Sequence, residues 1–81
     1  MGVEEVLKNQ LEDIDVELKD CKRDLGQICE EARGLFKEKD DLKLIEAIDS
    51  MDRRLKAVVS TRDSLMVKKS DYQYLLNHSN S

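Results

Sequence analysis

A heptad repeat constrains this chain more than any other feature. Leu7, Leu11, Ile14, Leu18, Cys21, Leu25, Ile28, Ala32 and Leu35 follow one another in alternating steps of four and three residues. That is the a/d rhythm of a coiled coil, with Leu7, Ile14, Cys21, Ile28 and Leu35 on the d line. The residues between them are mainly charged, among them Glu12, Asp13, Asp15, Glu17, Lys19, Asp20, Lys22, Arg23 and Asp24. One narrow apolar stripe on a solvated cylinder is the pattern of a helix seam. A second series keeps the same rhythm: Leu44, Ile48, Met51, Leu55, Val58, Arg62, Leu65, Lys69, Tyr72, Leu76. Its d line (Leu44, Met51, Val58, Leu65, Tyr72) is apolar throughout. Its a line carries Arg62 and Lys69, whose methylene stems can lie on the seam while their charges reach water.

The spacing predicts helix 1 over about residues 3–37 and helix 2 over about 41–76, joined by a turn at about 38–40. Residues 1–77 then form a single helical hairpin, followed by a polar tail, 78–81, that should fray. Asp40 or Asp41 suits the N-cap of helix 2, because its carboxylate can accept a free backbone N–H. A competing reading ends helix 1 at Gly34 in the left-handed conformation. Ser70-Asp71-Tyr72-Gln73 resembles a capping box and could open a short separate helix, but Tyr72 and Leu76 hold the heptad and favour continuity. A chain that never turned would be one helix of about 75 residues in a parallel dimer. Charge favours the hairpin. Residues 1–38 hold 6 basic and 11 acidic side chains, net −5; residues 39–81 hold 8 and 7, net +1. A hairpin sets the acidic half against the less acidic one rather than against its own copy. Leu35 should then face Leu44, Ile28 face Met51, Cys21 face Val58, Ile14 face Leu65 and Leu7 face Tyr72. Arg62 falls near Glu17 as a registry pair. The fold class is all-α: an antiparallel two-helix coiled-coil hairpin, with dimerisation into a four-helix bundle open to it.

Eighty-one residues without Pro or Trp, with only Phe36, Tyr72 and Tyr74 as aromatics, do not suit a β-fold. No apolar run approaches the ~18 residues of a membrane span. No basic segment followed by an apolar one marks a secretory signal. Cys21 and Cys29 stand eight residues apart, about 12 Å along one helix at ~1.5 Å per residue, too far to bridge within it. Reduced thiols suggest a cytoplasmic setting, with the nucleus as the other option. A core this thin rarely gains more than ~3–5 kcal/mol from burial, so self-association or a partner would help.

Catalytic chemistry finds no foothold. The one histidine, His78, lies in the predicted tail, and nothing beside it completes a triad or a metal set. The carboxylates read as a solvated helix face rather than an acid/base pair. Cys21 reads as a small core side chain, and Cys29, at an e position, lacks a second cysteine or histidine at redox spacing. The three glycines are isolated, so there is no phosphate loop. Arg53, Arg54 and Lys56, and the pair Lys68 and Lys69, are interleaved with acids and lack stacking aromatics, which argues against nucleic acid as a partner. The chain is read as a non-enzyme with no cofactor and no metal.

A further apolar line lies beside the seam. Ile45, Val59 and Met66 occupy e positions of helix 2, and Cys29 and Phe36 occupy e positions of helix 1. A two-helix seam needs only a and d; a stripe widened to e is that of a helix with two neighbours. Phe36, Ile45, Val59 and Met66 are therefore the candidate partner-binding residues, for a helical segment of another protein or a second copy, as a homo-oligomer or hetero-complex. Ordinary scatter of exposed apolar side chains is the plainer account of such residues, and it suffices for Val6, Val16, Leu42 and Val67.

From Cys29 to Leu55 the chain combines a helix end holding Ala32, a short charged turn with Asp40 and Asp41, and then apolar residues every three or four. This third of the chain resembles the Rab-binding hairpins of rabenosyn, is similar to UVR-type hairpins and, more distantly, to the tail of the disrupted-in-schizophrenia scaffold. It departs from the UVR pattern in lacking a Leu-Arg-Asp stretch after the turn. The resemblance implies a hairpin that binds other proteins. The chain is accordingly read as a non-catalytic scaffold or assembly module, with a small-GTPase effector hairpin of a trafficking or signalling protein as the alternative. It also fits a piece of a longer chain.

Overall fold

A computed structural model, described for residues 2–79, shows two long antiparallel helices. Helix α1 spans Val3–Gly34, a single 3-10 turn follows over Leu35–Lys37, and helix α2 spans Asp41–Ser79. The pair measures 61 × 16 × 14 Å along its principal axes. The chain therefore doubles back, and the single continuous helix is excluded.

The reversal is made by hydrogen bonds rather than by a special backbone conformation. Gly34 is right-handed (φ −67°, ψ −22°), so the left-handed ending considered for it does not occur. The amide of Leu35 donates to the Ala32 carbonyl and that of Glu38 to the Leu35 carbonyl, tightening the last turn. Glu38 then turns extended (ψ 124°). Its Oε1 accepts from the Asp40 amide at 3.1 Å. Asp40 is the N-cap of α2: its Oδ1 accepts from Leu42 N at 3.0 Å and Lys43 N at 3.4 Å, while its carbonyl accepts from Leu44 N.

At the other end, α2 runs past the expected stop at 76 and passes through Ser70 without a break. His78 and Tyr74, one turn apart, stack their rings at 3.9 Å, and His78 Nδ1 donates to the Tyr74 carbonyl at 2.8 Å. These contacts extend the helix into the segment expected to fray; residues 80 and 81 of that segment lie outside the described residues.

The d lines form the seam. Leu7, Ile14, Cys21 and Ile28 of α1 are buried, as is Leu65 of α2. Ile14, Cys21 and Leu65 make a continuous core against which Leu18, Val58 and Tyr72 pack. Leu35, Leu44, Met51, Val58 and Tyr72 are half-buried, and so are Leu11, Leu18 and Leu25 on the a line of α1. The a line of α2 departs from expectation at two seam positions: Ile48 is 50% exposed and Leu55 38%. The d residues lie on the centre line between the helices, so a residues stand on one edge of the seam. Two helices alone leave that edge to solvent. The same geometry removes the predicted Arg62–Glu17 pair. Arg62 is an a residue and Glu17 a g residue, on opposite edges; Arg62 instead reaches Asp63 at 3.5 Å.

Candidate helix-docking face

The hairpin has two long edges with different chemistry. On one, the g residues Glu31 and Arg54 meet across the seam in a fork, with Arg54 Nη1 donating to Glu31 Oε2 and Nη2 to Oε1. The hydrogen bond from Arg54 holds the Glu31 carboxyl below its ordinary value, and the same bond holds the Arg54 guanidinium above its own. Both side chains are about half exposed, so the pair fixes register more than it stabilises.

The other edge carries the a and e residues of both helices, and it is open. Toward the termini it is bridged by Lys69, whose Nζ donates to Asp15 Oδ1 at 2.9 Å. Beside that pair lies a groove of about 400 Å³ lined by Leu18, Lys22, Leu25, Arg62, Met66, Lys69, Ser70 and Gln73. Arg62 Nε is buried there without a hydrogen-bond partner. Toward the turn the edge becomes apolar. A groove of about 330 Å³ is lined by Ile28, Cys29, Ala32, Leu35, Ile48, Met51, Asp52 and Leu55. A neighbouring one, of about 340 Å³, shares Ala32, Leu35 and Ile48 and adds Phe36, Glu38 and Leu44. Asp52 is the one charged group in the first of these two; it pairs with Lys56 at 2.9 Å and holds that ammonium above its ordinary value.

The four candidate partner-binding residues are distributed along this edge rather than gathered. Phe36, 92% exposed, lines the groove nearest the turn. Ile45 is exposed one turn before Ile48. Val59 is half-buried beside Leu55 on the outer side of α2. Met66 is exposed and lines the cationic groove. Reading the e line alone missed Ile48 and Leu55, which the heptad assigned to the seam and the structure leaves on the surface. It also missed the ion pairs Asp15–Lys69 and Glu31–Arg54. Their signal is present in the heptad: each pair joins positions on the same edge, e with a or g with g.

Cys21 is buried and Cys29 exposed, and both thiols are free. Among the described residues no group of three or more His, Cys, Asp or Glu is placed to hold a metal ion, and no helix is long and apolar enough to cross a membrane. No protein-family model, curated protein or solved structure matches the chain.

Proposed function

We propose that this chain is a non-catalytic protein-interaction module that docks a helix along its a/e edge. The observation that carries this reading is the exposure of Ile48 and Leu55, a-line residues bordering an apolar groove at the turn end. Ile48 shares that groove with Leu55 and the neighbouring one with Phe36, and Ile45 is exposed one turn before Ile48; clustered exposed apolar side chains are the kind of surface that marks an interaction site. The groove between two helices accepts a third through anchors three, four and seven residues apart. Burying one such Leu or Ile side chain is worth roughly 1.5–3 kcal/mol, so a few anchors suffice for a specific complex.

A photo-reactive amino acid placed at Ile48 should cross-link to a helical segment in a whole-cell extract, identified by mass spectrometry. The same group at Val16, exposed on the far face of α1, should not. An Ile48 probe that captures nothing, not even another copy of the chain, ends the proposal. Paired changes Ile48→Glu and Leu55→Glu, or single changes Val59→Glu and Met66→Glu, should weaken association by about tenfold or more while leaving helicity unchanged.

A further inference from the structure

We infer that the helix docked on the a/e edge is that of a second copy, joined turn end to turn end about a two-fold axis parallel to the hairpin. This rests on the docking reading above and deepens it by naming the occupant and its orientation. Such an axis lifts no residue along the bundle. Helix α1 of one copy then lies over α2 of the other, antiparallel and in the same register that the chain uses internally. That register is fixed by Ile14 against Leu65, Asp15 on Lys69 and Glu31 on Arg54.

Three features favour this arrangement. The first is charge at the b positions, which flank the e line. At matched heights, within one helical turn, Arg33 falls beside Asp49 of the second copy and Lys19 beside its Asp63. Arg33, Lys19 and Asp49 have no ion-pair partner among the described residues. The remaining b positions set Glu5 against Asn77, Glu12 against Ser70 and Gly26 against Lys56, so no like charges meet along the b lines. The second feature is the gradient along the edge. Its turn end is apolar and its terminal end carries Lys69, Asp15, Lys22 and Arg62. Turn ends together place Phe36 near Ile45 of the second copy; the opposite orientation would bury these side chains against charges. It would also lay α1 on α1, two segments of net −5 each. The third is size. A face 61 Å long and 16 Å wide has room for the ~800 Å² per partner of a standard stable interface. The product is an up-down-up-down four-helix bundle.

The test uses the intact chain, purified, in sedimentation equilibrium up to the millimolar range. A spin label at Lys39→Cys, in a Cys29→Ser background with buried Cys21 left unlabelled, reports orientation. The expected result is a dimer with an interlabel distance of about 15–30 Å, the diagonal of a bundle whose neighbouring axes lie ~8–10 Å apart plus the label arms. A dimer with labels near 61 Å overturns the orientation. A monomer throughout the range overturns the second copy as occupant; if the Ile48 probe still captures another protein's helix, the docking reading survives that result. Arg33→Glu should weaken the dimer about fivefold, and Asp49→Arg in the same chain should restore it. Failure of that rescue removes the proposed register.

Discussion

The end of the hairpin that carries the termini and the end that carries the turn differ in how they close their seams. In the terminal half Leu7, Ile14, Cys21 and Leu65 are buried, although the a line there holds Arg62 and Lys69. Toward the turn the a line of α2 is wholly apolar, yet Ile48 and Leu55 stand exposed and no α2 residue before Leu65 is buried. Apolar character at a seam position is thus no guarantee of burial. Arg62 and Lys69 are half-buried on their own edge, and the Lys69–Asp15 bond bridges it. Ile48 and Leu55 are too short to do the same, and only another helix would cover them.

The contrast can be broken most forcefully in the core. Leu65→Ala or Ile14→Ala should cost about 2–4 kcal/mol, enough to unfold much of a hairpin this thin, whereas Leu55→Ala in the monomer should cost well under half as much. Urea denaturation followed by circular dichroism measures both, and equal losses would dissolve the distinction between the halves. Asp40→Ala should cost about 1 kcal/mol by removing the α2 cap. Hydrogen exchange should show the loss concentrated in the turn half, over residues 41–52, where packing gives less support. Gly26→Ala, at an open position of α1 with nothing within 4 Å of the added Cβ, should raise stability by roughly 0.5–1 kcal/mol, read as a higher urea midpoint.

The smallest effect concerns pH. Glu31 has its pKa depressed in the folded chain by Arg54. Its contribution is therefore fully present above the ordinary glutamate value of 4.5 and is lost as pH falls through the lower folded value. Glu31→Gln should trail the parent slightly at neutral pH and converge with it in acid; a gap that persists at low pH would mean the carboxylate's charge is not what matters.

The d line was legible because a strict period of alternating four and three leaves little choice of face, and the cap was narrowed to Asp40 or Asp41 because so few residue types cap a helix; the structure chooses Asp40. Exposure of Ile48 and Leu55 was not, since the period marks a and d alike and does not say which runs along the centre line. The Arg62–Glu17 pairing failed for a related reason: matching residues by height ignores the edge each one occupies. Once a is assigned to one edge and g to the other, the ion pairs Asp15–Lys69 and Glu31–Arg54 follow.

Every described residue in the reversal between α1 and α2 keeps a backbone that any L-amino acid accepts, Gly34 included. The bend therefore leans on two carboxylates, Glu38 and Asp40, each holding a neighbouring amide. Evolution is free to rewrite the other letters there. A distant cousin of this chain would be found by its spacing of branched aliphatics and an acid at the elbow, while a search anchored on glycine or proline would pass it by.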